Sequence, residues 1–192
     1  WRRWPRLCPC THGGGGDGRG VEIYPLSRYY FGAKDAAAVP RGLETAADRA
    51  LRLKANFAAH GLRTSVHGVL LVELFDHPHV LLLQVRNSSF VLPGGRLRPS
   101  EADVQGLKRK LSSKLSVVRG DGEDTTEDVD DWQECIKLFL IRLPMSRRFV
   151  VPRNMKLLAV PLSQIHGNAQ VYGPIISGIP NLLSKFSFQC HQ

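Results

Sequence analysis

Glu101 stands where a phosphate-cleaving metal site would begin. Five residues separate it from Gly95 of the pair Gly94-Gly95, and seven separate it from Arg109. A glycine turn running into a glutamate-rich helix holds magnesium, a hard cation that takes carboxylate and water oxygens, against a pyrophosphate. Beyond Arg109, however, the chain supplies Lys110, Ser113 and Lys114. Ammonium groups at two of those three positions repel a divalent cation, and Glu101 cannot assemble the site by itself. The sequence therefore predicts no metal, no cofactor and no metal-dependent hydrolysis at this turn. Cys8 and Cys10 with His12 are the other ligand types in close spacing, but no second pair lies near them to complete a zinc set.

The elements that must position these residues can be read from periodicity. Phe90-Val91-Leu92 reads as a short strand stopped by Pro93-Gly94-Gly95, and Ser100-x-x-Asp103 as the cap of a helix. Val104, Leu107, Leu111 and Leu115 recur along that helix at spacings that form one apolar stripe, with Lys108, Arg109 and Lys114 turned outward. Upstream, Tyr24-Pro25-Leu26 and Tyr29-Tyr30-Phe31-Gly32 read as extended. Thr45-x-x-Asp48 reads as the start of a helix carrying Arg49, with Ala50, Leu53 and Phe57 on one face, ending at Gly61. Val66 to Phe75 and Val80 to Val85 are β-rich runs joined through Asp76-His77-Pro78-His79 as a hairpin connection. Ile136 to Leu143 and Leu157 to Val160 supply two further strands, and Pro174 opens a helical region that Gly178 and Pro180 interrupt before Phe186. Mixed strands with helices on both sides predict an α/β sandwich.

The chain has 192 residues, 43% of them apolar, enough for one core and one domain. Residues 1–20, with Gly13 to Gly16, read as a flexible arm, and 21–192 as a single domain. The first residues, Trp1-Arg2-Arg3-Trp4-Pro5, are not an apolar signal segment, and no apolar run approaches the roughly 20 residues that span a bilayer, so a soluble chain without a membrane partner is expected. Four scattered cysteines fit a reducing compartment. The formal charge is +9, yet eight of the 17 acids fall between Asp121 and Glu134 with no lysine or arginine among them. Setting those eight aside leaves nine acids against 26 bases, a net +17, which suits a polyanionic partner or a solvated basic surface equally. The acidic run itself, about 119–133, reads as a mobile loop.

The spacing of Gly95, Glu101 and Arg109, with Leu111 as the hydrophobic position, resembles a Nudix box in which Lys110, Ser113 and Lys114 replace the metal-binding glutamates. The resemblance extends along the chain through Tyr24-Pro25-Leu26, Tyr30-Phe31-Gly32, Gly68-Val69-Leu70-Leu71-Val72 and Pro78-His79-Val80-Leu81-Leu82-Leu83-Gln84. It continues through Leu92-Pro93-Gly94-Gly95, Gly106-Leu107-Lys108-Arg109, Lys137-Leu138-Phe139-Leu140, Val151-Pro152-Arg153-Asn154-Met155-Lys156-Leu157 and Tyr172-Gly173-Pro174-Ile175-Ile176-Ser177. In that order these motifs are similar to the small, Nudix-fold subunit of pre-mRNA cleavage factor I-m, over about Val21 to Phe188 outside the acidic run.

The resemblance implies a Nudix-type α/β/α sandwich with a mixed sheet, a homodimer, and residence in the nucleus. It also implies partners: single-stranded pre-mRNA carrying a UGUA element, and a larger subunit with an RNA-recognition domain. It places RNA contacts at Arg49, His67, Ser89, Phe90, Tyr172 and Gly173. Arg49 would bring a planar fork to a base edge or phosphate, and Phe90 a π-face to an unstacked base. Ser89 takes the place of the family's stacking aromatic and His67 that of its glutamate, changes that weaken base choice. An RNA-binding subunit of the 3′-end processing machinery is the reading these features favour. The alternatives are an assembly scaffold without RNA recognition, and a nucleotide-binding or hydrolytic Nudix protein using acids outside the box.

Overall fold

The computed structural model describes residues 6–7, 20–35, 46–61, 63–85, 89–116 and 134–190; most of the expected arm and the acidic run at 119–133 lie outside them. A central sheet of seven strands carries the fold. Its spine is β4 (Arg63–Leu74), with β8 (Glu134–Ile141) parallel along one side. On the other side β5 (His77–Val85) and β7 (Gly94–Arg96) share β4 between them. β5 also pairs antiparallel with β10 (Met155–Pro161) and with β6 (Ser89–Val91). β1 (Arg6–Leu7) lies antiparallel to β8 at Phe139 and Leu138.

β4 and β5 pair only near their turn, at Leu71 to Leu74 and His77 to Val80, and then part. β6 follows β5 and β7 follows β4, so Leu92-Pro93 crosses the gap between the diverging strands. The strand through Phe90 ends at Val91, before Pro93, as expected, and the glycine pair then opens a separate strand, β7, that the sequence does not announce. The reason is local: a Cβ on Gly94 would stand 2.2 Å from the Val66 carbonyl oxygen and 2.6 Å from His67 Cα, so only glycine lets this strand approach β4 so closely. The Gly68 N–H donates to the Pro93 carbonyl at 2.8 Å and Leu97 N–H to Thr64 at 2.9 Å, which closes the seam.

Apolar residues fill both faces of the sheet, as strands covered on both sides require. Val66, Leu70 and Val72 join Leu81, Leu83, Phe139 and Ile141 in one core with Leu107, Leu111 and Leu115 of α2 (Asp103–Leu115). Val69, Leu71, Val80, Leu82, Leu138 and Leu140 face the other core, closed by α3 (Leu162–Ile165), α4 (Ala169–Ser177) and α5 (Ile179–Leu183). Two small parallel pairs flank this sandwich: β2 (Val21–Ile23) with β11 (Phe188–Cys190), and β3 (Tyr29–Lys34) with β9 (Arg147–Pro152). α1 spans Ala46–His60 and ends at Gly61, whose φ of +68 suits a helix terminus. The α/β sandwich expected from the pattern is the observed fold.

Several boundaries differ from expectation. The hairpin connection is Phe75-Asp76, not residues 76–79: both have positive φ, +54 and +61, the geometry of a two-residue type I′ turn. Pro78 is accommodated in β5 because it sits one residue beyond the end of the β10 pairing, where no N–H is needed. α2 is capped by Ala102, and Ser100 instead occupies a positive-φ position at +60, so the predicted side-chain cap does not form. A 3-10 turn at Leu26–Arg28 breaks the extended aromatic segment. The C-terminal helical region starts at Ala169, earlier than Pro174, and Gly173 at φ +79 bends it just before the proline. On α1, Ala50 is exposed and Phe57 is 48% exposed.

Candidate functional site

The turn after β7 and the start of α2 form a closed electrostatic unit. Arg109 grips Glu101 with two parallel bonds, Nε to Oε1 at 2.8 Å and Nη2 to Oε2 at 2.7 Å. The Arg98 backbone N–H donates to Oε2 at 2.8 Å. These donors, Arg109 first, hold the Glu101 carboxyl at a pKa of about 2 against the opposing effect of burial. Two residues further, Lys137 Nζ contacts both oxygens of Asp103, at 2.9 and 3.0 Å, and ties α2 to β8. Both carboxylates that open α2 are therefore neutralised by cations of the chain itself.

Gly106 completes this corner. A Cβ there would come within 2.0 Å of Leu97 Cδ2 and 3.0 Å of Glu101 Oε2, so the bare helix surface lets the glutamate lie against it. Lys110 is buried, 5% exposed, on the helix face that also carries Leu107 and Leu111; the expectation for this helix had turned only Lys108, Arg109 and Lys114 outward. Ser113 and Lys114 are partly buried. At the helix end the Lys34 ammonium contacts the Ser113 carbonyl and, at 3.0 Å, that of Ser116, where a cation offsets the helix dipole. This donor set of one clasped carboxylate, two lysines and a serine does not fit a magnesium ion. Among the described residues no group of three or more His, Cys, Asp or Glu converges for a metal.

A second set of residues gathers on the opposite side of the sheet. His67 follows the same alternation as Val69 and Leu71 and so faces the α3–α5 side, between Gly94 of β7 and Leu138 of β8 in register. Its Nδ1 approaches the Leu92 carbonyl at 3.4 Å, which favours the Nδ1-protonated tautomer. Phe90 lies against the same core and meets Tyr172 with ring centroids 4.9 Å apart at 48°. Tyr172 is 6% exposed, so its ring serves as packing and Phe90 carries the accessible part of the pair. Ser89 is exposed at the start of β6, opposite Val85. Gly173 takes φ +79 and ψ 164 immediately after Tyr172; a Cβ there meets nothing within 4 Å, so backbone conformation and not space selects glycine.

Of the residues expected to contact RNA, His67, Phe90 and Tyr172 are thus placed on one face, and Ser89 and Gly173 adjoin two of them in sequence. Arg49 lies within α1, and its side chain falls outside the described set. Gly95, Glu101, Arg109 and Lys110 occupy the box on the other side of the sheet. Two contributors escaped the sequence reading, Lys34 at the α2 terminus and Lys137 on Asp103. Each is far from its partner along the chain, and no local spacing announces either.

A family model agrees with the fold. The family model NUDIX_2, described as nucleotide hydrolase, matches residues 19–133 and 127–186. Pre-mRNA cleavage factor Im 25 kDa subunit 1 of Arabidopsis thaliana is 57% identical over 191 residues, covering 88% of this chain and 85% of the relative. Subunit 2 from the same plant is 42% identical over 200 residues, covering 88% and 94%. Cleavage and polyadenylation specificity factor subunit 5 of Dictyostelium discoideum is 35% identical over 184 residues, covering 83% and 90%. Among solved structures, a C. elegans Ap4A hydrolase binary complex matches with a TM-score of 0.43 at 14% identity, over 64% of this chain and 96% of that one.

Proposed function

The chain belongs to the family of pre-mRNA cleavage factor Im 25 kDa subunits, built on a Nudix domain, and from that premise we propose that it is a non-catalytic, RNA-binding scaffold subunit of the nuclear 3′-end processing machinery. Its relatives bear the names of cleavage-factor and polyadenylation-factor subunits. The observation that carries the non-catalytic reading is the clasp on Glu101, with buried Lys110 one residue past Arg109. A carboxylate already saturated by a guanidinium and a backbone N–H has little left to offer a metal.

RNA enters through the face bearing Phe90, His67 and Tyr172, with Arg49 and Gly173 as further contacts. Phe90 supplies a ring beside the splayed seam of the sheet, and the charge of +9 supplies the attraction to phosphates. Ser89 brings no ring and His67 brings an N–H toward Leu92 where the family has a carboxylate, so the preference for UGUA is relaxed. The protein works as a homodimer that presents RNA to a larger subunit with an RNA-recognition domain.

Selection of bound RNA from a random pool tests this reading, with the wild type and Ser89→Phe side by side. Enrichment of UGUA in the Ser89→Phe pool, with a flatter profile for the wild type, is expected. Absence of binding to any RNA at low salt, alone or with the larger subunit, refutes the RNA part and leaves the assembly-scaffold reading, which the missing ring at Ser89 favours.

A further inference from the structure

The β3–β9 ribbon presents a feature that the Nudix corner and the Phe90 face leave unused. Tyr30 is 67% exposed and Phe31 is 50% exposed, side by side on a strand whose flanking residue Tyr29 is buried. Strand alternation sends the two rings to opposite faces of the ribbon. Phe31 stacks on buried Phe149 with centroids 5.9 Å apart at 23°, which fixes its ring and leaves the outer face open. Tyr30 pairs in register with Arg148, whose guanidinium reaches to 3.5 Å from where a Cβ of Gly32 would be. The absence of a side chain at Gly32 gives that guanidinium a flat place to lie beside the tyrosine. Arg153, exposed at the end of β9, has its N–H bound to the Lys34 carbonyl at 3.0 Å.

Charge decides what such a surface suits. Neither strand of the ribbon contains an acid, and from Cys135 to Gln192 the sequence has no aspartate or glutamate at all. The nearest carboxylate along β3 is Asp35, just past its end. An exposed ring next to a guanidinium, on a segment of uniformly positive charge, is the chemistry of sequence-tolerant single-strand binding: bases stack, and arginines meet phosphates. The ribbon's buried residues Tyr29 and Phe149 belong to the α2 core, so this surface lies on the other side of the sheet from Phe90 and Tyr172.

We propose that Tyr30, with Arg148 and Arg153, forms a second contact for single-stranded RNA, one that reads no sequence and holds the strand outside the Phe90 face. It rests on the RNA-binding reading above. A labelled short RNA containing UGUA and one lacking it would be titrated by anisotropy across a salt series. The proteins are wild type, Tyr30→Ala, Tyr30→Phe, Arg148→Ala/Arg153→Ala and Phe90→Ala, with sedimentation giving each one's oligomeric mass.

Tyr30→Ala should weaken both RNAs by about 5- to 100-fold, the range for loss of one stacking ring, while Tyr30→Phe keeps wild-type affinity. The double arginine variant should lower the salt slope by about 1.4, at roughly 0.7 for each single-strand phosphate contact. Wild-type binding that the ribbon variants leave unchanged, while Phe90→Ala weakens it, overturns the second contact and spares the proposed function. No binding by the wild type overturns both. A change in oligomeric mass on Tyr30→Ala assigns the ribbon to a second copy of the chain and likewise overturns the proposal. Because Tyr30 is exposed, its substitution leaves the core intact, which an unchanged melting temperature verifies.

Discussion

Replacing Glu101 with glutamine separates a structural carboxylate from a metal ligand. In the fold Glu101 accepts two bonds from Arg109 and one from the Arg98 backbone, and its side chain is 13% exposed against 26% for Arg109. A carboxyl held at about 2 instead of its ordinary 4.5 corresponds to roughly 3 kcal/mol before screening. The pair sits at the rim where water screens it, and glutamine retains one acceptor, so the expected loss is about 1 to 2 kcal/mol at neutral pH. For a domain of this size each kcal/mol moves the melting temperature by about 2 to 4 °C, giving a drop of roughly 2 to 8 °C. The folded-state pKa lies below the unfolded one, so this stabilisation is complete above about 4.5 and is lost as pH falls toward 2. Urea unfolding of both proteins at stepped pH should therefore show a gap that is constant near neutrality and narrows below 4.5. Magnesium or manganese should shift neither curve. Equal stability at neutral pH, a gap that persists at low pH, or a magnesium stabilisation of the wild type that glutamine abolishes would each refute the clasp as the role of Glu101.

Other perturbations follow from single contacts. Gly94→Ala drives a Cβ to 2.2 Å from the Val66 carbonyl oxygen and 2.6 Å from His67 Cα, backbone atoms that cannot step aside, so loss of more than about 3 kcal/mol or of soluble protein is expected by denaturant titration. Lys34→Met removes the ammonium from the carbonyls at the end of α2 and should cost about 1 kcal/mol in the same assay, with a loss that shrinks as salt rises. Gly173→Ala meets no atom within 4 Å but must adopt φ +79 with ψ 164, a conformation almost confined to glycine, so a loss of about 1 to 3 kcal/mol without overpacking is expected, along with weaker RNA binding as Tyr172 and Phe90 shift. Purified wild type should release no phosphate from dinucleoside polyphosphates with magnesium or manganese, and turnover lost on Glu101→Gln would overturn the non-catalytic reading.

How much of this was legible in the sequence depended on the range of the interaction. Leu107, Leu111 and Leu115 announce α2 because a helix repeats its buried face within a few residues. The runs Val69 to Val72 of β4 and Val80 to Leu83 of β5 announce themselves because both faces are covered and every residue in them is apolar. The turn at Phe75-Asp76 did not, since its residues lack the Asn-Gly signature and register alone imposes their positive φ. β7 is silent in the sequence because a glycine pair carries no strand pattern; the approach to Val66 and His67 that requires Gly94 depends on a strand some 27 residues earlier in the chain. The residues of the Phe90 face came from resemblance alone. Periodicity makes Phe90 an ordinary strand residue, and its contact with Tyr172 joins positions 82 residues apart.

On the non-catalytic reading proposed above, the clasp also explains how a Nudix corner persists without a metal. A carboxylate cluster that binds magnesium carries mutual repulsion which the ion relieves, and a chain that no longer uses the ion is better folded without most of those charges. Lys110, Ser113 and Lys114 remove them from α2. Glu101 is different, because Arg109 and the Arg98 N–H give it a folding role independent of any ligand. Gly106 and Leu97 are shaped around its side chain, so its loss would leave a guanidinium and a backbone donor without their acceptor in a half-buried corner. On that reading the positions now held by Lys110, Ser113 and Lys114 had only a catalytic use, and the acid with a structural use remains. The spacing from Gly95 through Glu101 to Arg109 is therefore evidence of the fold and carries no evidence of hydrolysis.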